Sequence, residues 1–113
     1  NYKQVYDYLE TQLKVTSLPK LKLMLPEFID TIKLTYALDT DQALGIFVHI
    51  ACLIERTILG EPSKKQPDAS KIIYTYENDY RIISKAIKRI EKTFKIIIDD
   101  NELATLIKMI RQI

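Results

Sequence analysis

Residues 40–59 read TDQALGIFVHIACLIERTIL. Leu44, Ile46, Phe47, Val48, Ile50, Leu53, Ile54 and Ile58 make this segment apolar almost all round. A helix of that kind is usually enclosed by other helices, so the segment is expected at the centre of a domain. Both of its ends are marked. Asp39, with Gln42 three residues later, has the pattern of an N-cap and capping box, and Gly60 followed by Pro62 is a stop signal.

Helical spacing continues on both sides. A first helix over about 2–14 sets Val5, Leu9 and Leu13 four residues apart, with Tyr2 and Tyr6 beside them. Ser17-Leu18-Pro19 punctuates, and a second helix places Leu21, Leu25, Phe28, Ile29, Ile32 and Tyr36 on one face. Pro26 either sits in its first turn or kinks it. Residues 60–69 (GEPSKKQPDA) read as a polar loop, and residues 69–75 can form a short helix after it. A fourth helix, about 77–95, carries the core stripe Tyr80, Ile83, Ile87, Ile90 and Phe94. Ile96-Ile97-Ile98 is β-branched but has no second strand to pair with, so it is expected to be a buried connector. Asp99 with Glu102 repeats the capping-box pattern and opens a fifth helix to the C-terminus. The pattern predicts one all-α domain over 1–113, a five-helix bundle.

Composition narrows the function classes. Ile and Leu together supply 31 of the 113 residues, enough aliphatic side chain to exclude disorder. A single Cys excludes an internal disulfide framework and a Cys-based zinc cage. No apolar run approaches the roughly 18 residues of a membrane span, and no signal-peptide pattern is present. With 17 basic and 15 acidic residues the net charge is only +2, short of the excess usual for general nucleic-acid affinity. The chain begins at Asn1, so it is expected to be a fragment of a larger protein.

Two features carry possible chemistry. Gln42, Gly45, His49, Cys52 and Arg56 fall at spacings of 3, 4, 3 and 4, which puts them on one stripe of an otherwise aliphatic helix. A neutral imidazole is a nucleophile and can accept a phosphoryl group from an activated donor. Arg56 would supply positive charge to the phosphoryl oxygens, and Gly45 would let a donor approach closely. The other reading of His49 is a structural histidine at a helix–helix contact. His49 and Cys52 are too few for a structural metal site, and no nucleophile elbow points to a hydrolase. The second feature is the basic stripe Arg81, Lys85, Lys88, Lys92 and Lys95, with Arg89 adjoining, on the outer face of the fourth helix. It reads either as a docking face for an acidic protein or phosphate backbone, or as a solvated helix face.

The block Phe47-Val48-His49-Ile50-Ala51-Cys52-Leu53-Ile54-Glu55-Arg56 resembles the histidine motif of PTS regulation domains (PRDs). These are helical modules of bacterial antiterminators and of transcriptional activators of sugar operons. The version in sigma-54-dependent activators similar to the levanase-operon regulator is the nearest in pattern. Val5…Tyr8-Leu9-Glu10…Leu13 resembles the opening helix of such modules. Tyr80…Ile90-Glu91…Phe94-Lys95-Ile96 resembles their fourth helix and its exit, and Asn101-Glu102-Leu103 the start of their last helix. The resemblance implies a cytoplasmic five-helix regulatory domain that dimerises, carries no cofactor and is not an enzyme. It implies phosphorylation of His49 by the phosphocarrier HPr or a sugar-specific IIB component, with DNA contacted only through other domains. A second histidine is common in the family's last helix, and Met109 stands at that position here. Met cannot carry a phosphoryl group. The rival readings are an inert helical dimerisation domain, or a nucleic-acid-binding helical module that uses the basic stripe.

Overall fold

The computed structural model describes residues 2–113. They form six helices: α1 (Lys3–Gln12), α2 (Leu18–Lys33), α3 (Thr40–Ile58), α4 (Ala69–Thr75), α5 (Glu77–Phe94) and α6 (Asp100–Arg111). No strand occurs among the described residues. The bundle therefore has six helices and not five, because the short helix before α5 is separate. Tyr76 breaks the two apart, with φ −112° and ψ 48°. Ala69 is buried in α4, and Ile72 and Ile73 pack against the core from it.

The helix ends follow from local chemistry. Ser17 Oγ caps α2 by accepting from the Lys20 N–H at 3.3 Å, and Pro19 sits in the first turn, where no N–H is needed. Pro26 is not in that turn; it lies inside α2, where it offers no N–H to the Lys22 carbonyl. Asp39 Oδ1 accepts from the Gln42 N–H at 2.7 Å, as an N-cap does. The return half of the capping box is absent: the Gln42 side chain donates instead to the Met109 and Ile110 carbonyls at the end of α6. Gly60 closes α3 at φ +74°, with its N–H on the Thr57 carbonyl and the Glu61 N–H on that of Arg56. This pairing is the Schellman arrangement, and glycine is the residue that adopts it without strain.

α3 supplies Ala43, Ile46, Phe47, Ile50, Ala51, Leu53 and Ile54 to the core. It packs against α1, α2 and α6. It is not wholly enclosed, since Leu44 and Val48 are half-buried and Ile58 is exposed. On α5, Ile83, Ile87 and Ile90 are buried, with Tyr80 and Phe94 at the margins. Only Ile98 of the Ile96–Ile98 connector is buried; Ile97 is 84% exposed. A lone extended segment has one inward position in two, which is why three isoleucines do not all reach the core.

Two buried carboxylates tie the bundle together. Glu55 lies on the side of α3 that meets the turn between α1 and α2. Its oxygens accept from the Lys14, Val15 and Thr16 N–H groups at 2.7, 3.2 and 3.0 Å, and from Thr16 Oγ1 at 2.6 Å. The α1–α2 turn is thereby fastened to α3. Burial pushes the Glu55 carboxyl up, but these hydrogen bonds outweigh it and hold the pKa below its usual value. Asp79, at the start of α5, accepts from Tyr36 Oη and from Arg111 Nε (2.8 Å) and Nη2 (3.1 Å). Burial raises its pKa and the Arg111 and Tyr36 hydrogen bonds lower it, with a net decrease. The Tyr36 phenol is pushed up to about 12 by burial and by Asp79.

Both carboxyls ionise at lower pH in the folded chain than in the unfolded one. Their stabilisation is complete above the unfolded value of about 4 and is lost as pH falls through the lower folded values. The thermal midpoint is therefore expected to hold from neutral pH to about 5 and to drop below about 4. Glu55→Gln and Asp79→Asn should each destabilise at neutral pH, by on the order of 2 kcal/mol. Combined, they should flatten the acid limb. A double variant that keeps the parent's acid limb would show that other groups carry it.

Candidate functional site

The polar stripe of α3 faces α6. His49 and Arg56, two turns apart on α3, both approach the carboxylate of Glu102 in the first turn of α6. Arg56 Nη2 lies 3.0 Å from Glu102 Oε2, and His49 Nε2 lies 3.9 Å from Glu102 Oε1. The first is a charge-assisted hydrogen bond and the second is too long to be one. Arg56 thus pairs with Glu102 and not with its neighbour Glu55, which is engaged with the α1–α2 turn.

Glu102 is 5% exposed. A carboxylate buried that deeply needs compensating charge, and Arg56 provides it. Asp99 Oδ1 caps α6 by accepting from the Glu102 N–H at 3.1 Å. As at Gln42, the side chain three residues after the cap does not turn back to complete a capping box; it turns towards α3.

His49 Nε2 is buried and has no hydrogen-bond partner. Burial lowers the imidazole pKa, Glu102 raises it, and Arg56 lowers it, with a net decrease. The ring is therefore neutral at pH 7, the state in which a ring nitrogen carries a free lone pair. Because Nε2 is covered, attack through that nitrogen requires the ring to turn or the Glu102 carboxylate to withdraw. The ring borders a cleft of about 520 Å³ whose walls include Arg56, Lys64, Gln66 and Thr105. Gly45, one turn before His49, is exposed, and a Cβ placed there would meet no atom within 4 Å. Cys52 is half-buried, and burial pushes its thiol up, so it stays protonated.

The loop between α3 and α4 forms the cleft's outer wall and is fastened to α6. Ser63 Oγ donates to Asp99 Oδ2 at 2.6 Å, and the Gln66 N–H to Asn101 Oδ1 at 3.2 Å. Gln66 Nε2 donates to Thr105 Oγ1 at 2.8 Å, and Lys108 Nζ reaches Gln66 Oε1 and Asp68 Oδ1 at 3.1 and 3.0 Å. Sequence reasoning placed His49 and Arg56 together. It missed Glu102, whose spacing from Asp99 fits half of a capping box, and Lys64, Gln66 and Thr105, which carry no periodic signal. The basic stripe of α5 lies elsewhere and shares no residue with this cleft.

An all-α fold with a neutral histidine on a polar cleft defines an acceptor or structural site in a small helical domain. Residues 22–112 match the PRD domain family, and the chain belongs to it. A PRD is a PTS-regulated phosphorylation domain of transcriptional regulators; it is regulatory and not catalytic. PRDs are typically phosphorylated by PTS components. No curated protein and no solved structure matches the chain. Among the described residues, no helix is long and apolar enough to cross a membrane.

The electrostatics can be measured directly. An NMR titration of the His49 ring should give a pKa below 6.5, the ordinary value. Arg56→Ala should raise it, by removing a cation and freeing Glu102 to pair with the ring. Glu102→Gln should lower it further. A fall in Arg56→Ala, or a rise in Glu102→Gln, would contradict the geometry described.

Proposed function

We propose that this domain is a phosphorylation switch of a bacterial sugar-operon regulator, with His49 as its phosphoryl acceptor. The observation that carries the reading is the His49 ring, its buried Nε2 without a hydrogen-bond partner, beside a cleft that also holds Arg56 and Lys64. In the transfer, the ring lone pair forms an N–P bond while the donor's bond to phosphorus breaks and its electron pair leaves with the donor. The chemistry is mostly positioning and charge, which a guanidinium and an ammonium at the cleft supply. The donor is HPr or a IIB component. The levanase-regulator type of activator is the subtype proposed, on the resemblance of residues 47–56.

A phosphoryl group adds about −1.5 to −2 charges near a buried carboxylate. One guanidinium cannot neutralise both, so Arg56 shifts from Glu102 towards the phosphoryl oxygens. Glu102 then loses its counter-charge, and the first turn of α6 must rearrange. A change in homodimer packing is the proposed output. The domain itself is assigned no contact with DNA, which belongs to other domains of a cytoplasmic regulator. Met109, half-buried on α6, has no nitrogen to phosphorylate, so a single site is proposed.

The test is phosphoryl transfer from the purified phosphotransfer chain. His49→Ala should remain helical and take up no label; label retained on it would place the acceptor elsewhere. Wild-type uptake should approach but not exceed one phosphoryl group per chain, whereas a value near two would sink the single-site reading. Arg56→Lys keeps the charge but loses the planar fork, so its transfer rate should fall about tenfold or more. A normal rate with a lowered thermal midpoint would remove Arg56 from the site.

A further inference from the structure

A second concave surface lies between α2 and α5. It is a groove of about 380 Å³, and none of its lining residues belongs to the His49 cleft. Its floor is apolar: Phe28 and Ile90 are buried, and Met24, Ile82 and Ala86 are half-buried. At one end Leu34 is 87% exposed. The two walls differ in charge. The α5 wall carries Lys85 and Arg89, and beyond them the exposed Lys88, Lys92 and Lys95. The α2 wall contributes Glu27, paired with Arg89, and then the neutral Thr31 and Thr35. Among the described residues, Lys85, Lys88, Lys92 and Lys95 take part in none of the ion pairs.

We propose that this groove docks an amphipathic helix of a partner protein, whose apolar ridge fills the groove and whose α5-side flank is acidic. Helix-in-groove recognition needs an apolar trough that accepts side chains at i, i+3 or i+4, and i+7. The unpaired lysines along one wall select the flank charge and orient the helix, because a reversed or basic helix would meet like charges. A second copy of the chain is the wrong occupant. A two-fold contact on this face would set the basic stripes against each other or, with its axis along the groove, would give them only the neutral Thr31 and Thr35 and a Glu27 already paired with Arg89. Nucleic acid fits less well, since the floor is aliphatic and the one ring in it, Phe28, is only 4% exposed.

The probe is a synthetic amphipathic peptide of about 20 residues, long enough to be helical, with Leu on one ridge and Glu on one flank. Titrated against the intact chain by fluorescence anisotropy, it should bind with a Kd in the micromolar range. Leu34→Glu, on a fully accessible side chain, and Ala86→Glu, in the floor, should each weaken it about tenfold or more. Lys85→Ala should weaken it less and reduce its salt dependence. Peptides with Ser for Leu, or Lys for Glu, should lose binding, and His49→Ala should bind normally. The proposal is overturned if the peptide fails to bind, or binds equally to Leu34→Glu. It is equally overturned if duplex DNA binds and the peptide does not, or if Leu34→Glu dissociates a dimer of the free chain.

Discussion

Glu102 is a carboxylate placed where charge is expensive. It is nearly inaccessible to water, yet it stands beside a guanidinium and an imidazole on the neighbouring helix. It pairs with Arg56 and sits in the first turn of α6, where the helix dipole favours negative charge. His49 stands beside this pair, its pKa lowered chiefly by burial, raised by Glu102 and lowered by Arg56. Burial favours the neutral ring, and the carboxylate is too far away to hydrogen-bond it. A histidine hydrogen-bonded to Glu102 would have been a structural fastening. One left unbonded beside a cleft keeps a free lone pair once the ring turns or Glu102 withdraws.

α6 is the element that would feel a change at His49. Its first turn holds Glu102, its middle holds the loop through Thr105 and Lys108, and its end receives Gln42 from α3 and sends Arg111 to Asp79. It packs against α3, α4 and α5. On the proposed reading, negative charge arriving at His49 competes with Glu102 for Arg56. The strain falls on the seam between α3 and α6, and not on the aliphatic core of α2, α3 and α5. A polar seam inside an apolar bundle has discrete hydrogen-bonded arrangements, which suits it to switching between states better than to graded deformation.

Much of this was legible in the residues because it rests on periodicity. The apolar stripe of α5, the Asp39 and Asp99 caps and the Gly60 stop are local signals that the structure keeps, as it keeps the apolar positions of α3 apart from the exposed Ile58. The His49–Arg56 stripe was legible for the same reason. The destination of a side chain after it leaves its own helix was not. Gln42 and Glu102 both satisfied a local capping rule, yet both reach across to a partner 46 or more positions away in sequence. Residues 60–68 read as a plain polar loop because their bonds to α6 follow no period. Ile96–Ile98 showed composition without direction: Ile98 is buried, Ile96 packs at the core's margin and Ile97 points out.

On the proposed reading, a phosphoryl group on His49 draws Arg56 away from Glu102. Amide hydrogen exchange on the phosphorylated and unphosphorylated forms of the same preparation tests it most directly. Exchange should change in residues 60–68 and in the first turn of α6, with α2 and α5 unchanged. A chain phosphorylated at His49 whose α6 exchanges as before would contradict it.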